Sequence, residues 1–213
     1  ALCPGPRRYT RSWIRDGAIM VSALLRMGHP DAIREFIHWY AGFQKDDGNI
    51  PDSTGPEGPE WLPEFDAYGE FIFAIMEYFR FTGDKSFLVE MWPAVVKALA
   101  FMEGLRRQRL TPEYQIQEKR AYYGLLPESM SHEGYMAHPV HAYWDDFWAI
   151  RGLRDAAQMA EVLGDDTEAA RLTRLKQDFS EDVGASLATT IARHGIDFIP
   201  VRLTARPFRL CKW

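Results

Sequence analysis

The chain has 213 residues, of which 46% are hydrophobic and 14% aromatic, so it can bury a sizeable core. Its formal net charge of −5 is not the basic footprint that nucleic-acid binding requires. No apolar run is long enough to cross a bilayer, and the N-terminal residues show no secretory signal pattern. The composition therefore predicts a globular protein with neither a nucleic-acid nor a membrane partner, and it indicates no compartment.

Three segments repeat one plan, in which a helix ends at a glycine and an Asp or Pro begins the next helix. Glycine tolerates the left-handed backbone at a helix C-terminus, and Asp or Pro suits the first turn of a helix. The sequence therefore predicts three tight helical hairpins. The junctions are Gly28 with Pro30, Gly83 with Asp84, and Gly164 with Asp165.

The two helices of each hairpin differ in polarity. Residues 18–27 are apolar nearly all round, whereas residues 31–44 carry one apolar stripe. Residues 71–81 and 94–105 repeat the contrast. The third hairpin is more polar and fits this pattern of an apolar helix followed by an amphipathic one less well. Inner helices that alternate with outer ones predict an all-α layered toroid. The connections at residues 45–64 and 110–143 are long, and long loops in compact domains are usually functional. The function is therefore expected at the N-termini of the inner helices.

The three inner-helix entrances share an aromatic residue beside an acid. They read SWIRDGA at 12–18, EFDAYGEF at 64–71 and YWDDFW at 143–148. One alternative for each acid is helix capping, and one for each aromatic is core packing. The second interpretation, for both residue types together, is a carbohydrate pocket. Acids bind sugar hydroxyls, and aromatic faces cover the apolar side of a sugar ring. The predicted substrate-binding residues are Trp13, Arg15, Asp16, Asp66, Glu70, Trp144, Asp145 and Asp146. Of the last two, one is expected to face the pocket and the other to cap.

These motifs, in this order, resemble those of the six-hairpin (α/α)6 toroid glycosidases, most closely the glucoamylase-like inverting glycoside hydrolases. The resemblance implies that the chain is an incomplete (α/α)6 toroid of about three hairpins. It also implies hydrolysis of a glycosidic bond in an oligo- or polysaccharide, with inversion and without a cofactor. In that family an Arg-Asp pair binds the sugar at the cleavage point, which corresponds to Arg15 and Asp16.

Two further motifs carry the resemblance. The family pattern Gln-x-Asp-x-Tyr-Gly-Glu is matched from residue 64 to residue 70, with Glu64 where the family often has Gln. The general acid of the family lies in the next long loop, which implies Glu128 in GLLPE, although Pro127 replaces the usual tryptophan. Glu118 and Glu133 are alternatives in the same connection, and Glu128 could also be an ordinary solvated glutamate.

Inversion needs a second carboxylate to activate water, and in the family it comes from the second half of the toroid. We therefore expect the remainder of the toroid from C-terminal sequence, and this chain alone to lack the base. Residues 1–200 are predicted to form the partial catalytic domain. Residues 201–213 are predicted to be a basic tail, either non-native or an ordinary extension.

Other interpretations remain open. A glycoside phosphorylase would need an anion site, and a non-catalytic carbohydrate-binding scaffold would bind without turnover. The cluster of His132, Glu133, His138 and His141 could suggest a metal, but its spacing is not that of usual zinc ligands. Cys3 and Cys211 also lack metal-ligand spacing. No metal site is predicted.

Overall fold

A computed structural model describes residues 2–4, 10–131 and 137–203 of the chain. Over these residues the protein is mostly helical, with a small sheet and two short 3-10 turns. The helices are α1 (Ile14–Arg26), α2 (Pro30–Ala41), α3 (Ala67–Thr82), α4 (Lys85–Arg107), α5 (Tyr143–Leu163) and α6 (Asp166–His194). The strands are β1 (Ser12–Trp13), β2 (Ser53–Gly55) and β3 (Gly58–Glu60), and the 3-10 turns are Pro112–Gln115 and Arg120–Tyr122.

The three predicted hairpins are confirmed. Gly28, Gly83 and Gly164 have φ values of 82°, 66° and 89°, so each junction uses the left-handed backbone that glycine adopts readily. The next helix begins at once. Asp84 accepts a hydrogen bond from the backbone N–H of Phe87 at 3.1 Å, and Asp165 caps α6 in the same way. Local turn chemistry therefore sets the hairpins.

The helices form two layers, with α1, α3 and α5 inside and α2, α4 and α6 outside. Helix α3 packs against both α1 and α5, and every residue from 67 to 78 in it is buried. Helix α1 is buried along one face, whereas Ile19 on its other face is exposed. Trp144 and Phe147 on α5 are likewise exposed. The described residues thus form about half of the ring, an incomplete (α/α)6 toroid.

Helices α3 and α5 approach to backbone contact at two glycines. A Cβ atom on Gly69 would lie 2.0 Å from the carbonyl oxygen of Trp148, which is far inside van der Waals contact. A Cβ on Gly152 would lie 2.9 Å from the Cα of Gly69. The absence of side chains at these two positions therefore sets the distance between the two inner helices.

A three-stranded antiparallel sheet lies at the entrance of α1, and the sequence did not indicate it. Strand β2 pairs with both β1 and β3, with Trp13 opposite Ser53 and Ser53 opposite Glu60. Strands of two or three residues, rich in Gly, Pro and Ser, carry no alternating pattern that could predict them. The sheet attaches the long connection at residues 45–64 to the start of α1.

The chain after α6 returns to the start of α5. The backbone N–H of Tyr143 donates to the carbonyl of Val201 at 3.1 Å, and that of Leu203 donates to the carbonyl of His141 at 3.2 Å. Leu203 is buried in the core. Packed structure therefore extends three residues beyond the predicted boundary at residue 200. The rest of the predicted tail, residues 204–213, lies outside the described residues, as do His132 and Glu133.

Candidate active site

A cavity of about 400 Å³ opens at the N-terminal ends of the inner helices. It lies on the long-loop face, where the sequence predicts function. Its lining combines acids, one arginine and apolar side chains. The lining residues are Arg15, Glu64, Asp66, Met130, Ser131, Trp144, Asp145 and Val201. The structure thus brings four of the predicted site residues, Arg15, Asp66, Trp144 and Asp145, into one cavity.

Arg15 lies between two buried carboxylates. Its Nη1 donates to Oε2 of Glu64 at 3.0 Å and to Oδ2 of Asp66 at 3.1 Å. Burial acts to lower the pKa of Arg15, but the charges of Asp66 and Glu64 outweigh it and raise that pKa. The guanidinium therefore stays charged, and it links the first hairpin to the residues that begin the second.

Trp144 is held in place by the carboxylate of Asp66. Its Nε1–H donates to Oδ2 of Asp66 at 2.8 Å, and its ring meets Trp148 edge-on with 6.0 Å between ring centroids. The side chain is nevertheless 42% exposed, so part of the indole remains open to the cavity. A ring that is fixed at its polar edge and open on its surface can stack on an apolar ligand face.

The acids at the helix entrances do not cap their own helices. Asp66 is the N-cap residue of α3, yet its side chain makes no capping hydrogen bond. The N-cap residues of α1 and α5 are Trp13 and Ala142, again without a side-chain cap. The capping alternative therefore does not explain Asp16, Asp66, Asp145 or Asp146. The prediction that one of the last two caps α5 is wrong.

Two predicted site acids lie behind the cavity. Glu70 is fully buried, and burial followed by the charge of Asp66 raises its pKa well above the usual range. Asp146 accepts a hydrogen bond from the backbone N–H of Leu126 at 3.0 Å. Burial raises the pKa of Asp146 to about 8, against the opposing effects of that N–H and of Arg106. Neither side chain lines the cavity.

Two residues near the start of α1 also lie outside the lining. Trp13 is buried, with the guanidinium carbon of Arg15 at 5.9 Å from its ring centroid. Asp16 is half-buried in the first turn of α1. Their predicted roles in sugar binding stay predictions.

Glu128, the predicted general acid, lies on the loop beside the cavity and is not among its lining residues. Its carboxylate pairs with Arg109 and with Nε2 of His141, the latter at 3.2 Å, and the side chain is 46% exposed. Burial acts to raise the pKa of Glu128, but its own backbone N–H and the charges of His141 and Arg109 lower it overall. These contacts favour the carboxylate, whereas a proton donor requires the protonated form.

The sequence indicated no role in the site for Met130, Ser131 or Val201. The backbone N–H of Met130 donates to the carbonyl of Pro63 at 3.1 Å, which draws this loop over the entrance of α3. Val201 arrives from beyond α6, and no local pattern marks it. Glu64 was part of the matched motif but not among the predicted site residues. Its acid character and its motif position could have indicated it.

A larger cleft of about 530 Å³ lies between the later turns of α3 and α5 and the first half of α6. Its three arginines all contact the carboxylate of Asp155. Arg80 contacts Asp155 at 2.7 Å, and Arg151 contacts the same carboxylate at 2.8 Å. The arginines of this cleft are therefore engaged with a buried acid, and none of the predicted site residues lines it. Among the described residues no group of His, Cys, Asp and Glu side chains is arranged to hold a metal ion, and no helix could span a membrane.

A half-ring of helical hairpins with an acid-lined cavity at its inner-helix entrances defines a six-hairpin glycosidase framework. The sequence profile of the bacterial alpha-L-rhamnosidase 6 hairpin glycosidase domain matches residues 5–194. The chain therefore belongs to this family. The membership confirms the predicted six-hairpin glycosidase fold.

One solved structure that shares the fold is described as a rhamnosidase from Klebsiella oxytoca with rhamnose bound. The TM-score is 0.57 at 17% sequence identity, over 89% of this chain and 34% of that chain. The chain thus spans about a third of that protein's length. No curated protein matches the chain.

Proposed function

We propose that the chain supplies the sugar-binding half of an active site in a glycoside hydrolase that acts on an oligo- or polysaccharide with inversion. The observation that carries the proposal is the cavity in which Arg15 bridges Glu64 and Asp66 beside the open ring of Trp144. The family membership supports a glycosidase-type role.

The chemistry of the lining suits a sugar. Carboxylates accept hydrogen bonds from sugar hydroxyl groups, and the guanidinium can donate hydrogen bonds to the hydroxyl oxygens. Trp144 offers an aromatic surface to the C–H face of a pyranose ring. A volume of about 400 Å³ lies in the range of small-molecule pockets, about 300–1,000 Å³. The first substrates to test are α-L-rhamnosides, because the structural neighbour is a rhamnosidase with rhamnose bound.

Inversion requires two carboxyl groups about 6.5–9.5 Å apart, one to protonate the leaving oxygen and one to activate water. We propose that the base comes from sequence beyond this chain, since the chain spans about a third of the similar structure. The motif resemblance assigns the acid role to Glu128. The contacts of Glu128 with Arg109 and His141 instead favour its charged form. The assignment of the proton donor to Glu128 is therefore tested directly.

The experiment is a glycosidase assay of the intact protein that contains this chain. Aryl glycosides and oligosaccharides are incubated with it, and proton NMR identifies the first anomer formed. Inversion gives a product anomer opposite to that of the substrate. The absence of hydrolysis on every glycoside, or a retained anomer, contradicts the proposal.

The same assay decides the role of Glu128. If Glu128 is the proton donor, Glu128→Gln lowers kcat by about 10²–10⁴-fold. The matched control is Glu113→Gln, an exposed glutamate in the same connection, which should keep the wild-type rate. Wild-type turnover by Glu128→Gln removes Glu128 from the reaction.

A further inference from the structure

We infer that Asp145 is the proton donor of this site, delivering its carboxyl proton to the oxygen of the departing sugar. The inference rests on the proposed function and assigns the acid that the motif resemblance placed at Glu128. It is carried by the position of Asp145 in the cavity and by the arrangement of charge around it.

Asp145 presents a carboxyl oxygen with nothing bound to it. The residue lies in the first turn of α5, lines the cavity and is only 3% exposed. Its Oδ2 is buried and has no hydrogen-bond partner among the described residues. A buried polar atom without a partner is unusual, and this one belongs to a residue that lines the cavity.

The charges around the cavity separate Asp145 from the other two lining acids. Arg15 is the only cation among the described lining residues, and it donates to Glu64 and Asp66. Asp145 forms no ion pair with any described residue, while the neighbouring charges that act on it are those of Asp66, Asp146 and Glu64. A carboxylate that is buried without a cation is strongly disfavoured, so Asp145 holds a proton.

The pKa directions agree with this assignment. Burial, followed by the negative charge of Asp66, raises the pKa of Asp145 well above its usual range, against a hydrogen bond from Ser129 that lowers it. Acid catalysis commonly uses two carboxyl groups in one site, and their surroundings keep one protonated and the other ionised. Burial raises the pKa of Asp66 as well, but the charge of Arg15 and the hydrogen bond from Trp144 oppose that rise. Asp66 is therefore the lining acid of this pair whose charged form has a cation beside it.

The reaction balances with one proton donor, one water and one base. The proton of Asp145 passes to the glycosidic oxygen as the bond from that oxygen to the anomeric carbon breaks, and the bonding electrons stay on the oxygen. Water forms the new bond to the anomeric carbon and gives its proton to the carboxylate base. Exchange with solvent then returns a proton to Asp145. Glu70 and Asp146 are also buried acids, but neither lines the cavity.

The test compares two α-L-rhamnosides, or two members of whichever glycoside class the wild-type protein hydrolyses, in the intact protein. One carries a 2,4-dinitrophenyl group, which leaves without protonation, and the other carries a sugar, which does not. Asp145→Asn is expected to lower kcat on the sugar-linked substrate by about 10²–10⁴-fold and to change kcat on the aryl substrate by less than about tenfold. Glu113→Gln, at an exposed position that has no predicted role in the site, should leave both rates unchanged.

If Asp145→Asn lowered kcat equally on both substrates, Asp145 would be a binding or structural residue. If the variant kept the wild-type kcat on both, Asp145 would have no part in the reaction. Either result overturns the inference while the proposed function stands. No wild-type hydrolysis of any glycoside would overturn both.

A second variant covers the case in which Asp145→Asn does not fold. Ser129→Ala removes the hydrogen bond that lowers the Asp145 pKa, so the alkaline limb of the pH profile of kcat should move to higher pH. An alkaline limb that stays in place contradicts the assignment.

Discussion

At the scale of single residues, the stability of the cavity depends on one cation. The carboxylates of Glu64 and Asp66 are buried, and the guanidinium of Arg15 is a partner of both. Buried carboxylates are tolerated only when they are paired and hydrogen-bonded. The residue that we expect to bind substrate is therefore also one that keeps the site folded.

Replacement of Arg15 by alanine should destabilise the protein strongly. The change leaves two buried carboxylates without this partner, and loss of one member of a buried pair costs about 3–5 kcal/mol of unfolding free energy. Urea denaturation measures the loss. Lys97→Ala is the matched control, because Lys97 pairs with Asp46 at 3.6 Å on the exposed surface and such pairs contribute little. Equal losses in the two variants would contradict the role of Arg15.

The sequence identified the residue types of the site better than their roles. The motif order placed Arg15, Asp66, Trp144 and Asp145 together, and the structure joins them in one cavity. It could not show that Glu128 lies against Arg109 and His141, since these residues are separated along the chain and no local pattern links them. Charge pairing at long range decides protonation, and a short motif does not record it.

At the scale of elements, the contact of α3 with α5 depends on the lack of side chains. Gly69→Ala would place a methyl group against the carbonyl oxygen of Trp148, which is backbone and cannot rotate away. We expect a loss of about 3 kcal/mol in unfolding free energy. Thermal and urea unfolding measure it.

Gly184 on α6 is the matched control, because a Cβ there meets nothing within 4 Å. Gly184→Ala should raise the unfolding free energy by about 0.5–1 kcal/mol, since alanine is the better helix former. A Gly69→Ala variant as stable as wild type would show that the two helices can separate without cost.

Helix α5 is also tied to the preceding loop through Asp146, and this contact should make stability depend on pH. Burial raises the pKa of Asp146 to about 8 in the folded protein, against about 3.9 in the unfolded chain. The folded state therefore binds the proton more tightly. The resulting stabilisation is complete below the unfolded pKa and is lost as pH rises towards about 8.

The melting temperature should consequently fall between pH 5 and pH 8 in the wild-type protein, and fall less in Asp146→Asn. Asparagine can still accept the hydrogen bond from Leu126 but does not titrate. Asp178→Asn, at an exposed position on α6, should follow the wild-type curve. Differential scanning calorimetry at several pH values gives the comparison, and parallel curves for wild type and Asp146→Asn would contradict it.

The elements were the most predictable part of the protein. Glycine at 28, 83 and 164 and the acids Asp84 and Asp165 act within a few residues, so the hairpins follow from local chemistry. The small sheet was not predictable, because its strands are short and pair only across the long connection.

At the scale of the whole molecule, the inner layer formed by the described helices is open at both sides. Helix α3 has an inner neighbour on each side, whereas α1 and α5 each have one among the described residues. Trp144 and Phe147 of α5 are 42% and 41% exposed. Adjacent aromatic residues on an uncovered helix face promote association.

The chain expressed by itself should therefore self-associate as its concentration rises, and Phe147→Glu should reduce the effect. Val89→Glu on the outer helix α4 is the matched control, since Val89 is exposed but lies in the other layer. Sedimentation velocity over a range of concentrations separates the two variants. Equal association of both would show that the α5 face is not the contact surface.

The cavity is closed by the part of the described chain that is made last. Arg15 lies in the first hairpin, whereas Val201 reaches the wall only after α6, through the hydrogen bond from Tyr143 to its carbonyl. During synthesis on the ribosome, the wall that Val201 contributes is absent until residues 201–203 have emerged. We therefore expect a nascent chain stalled within α6 to be helical and to lack one wall of the cavity.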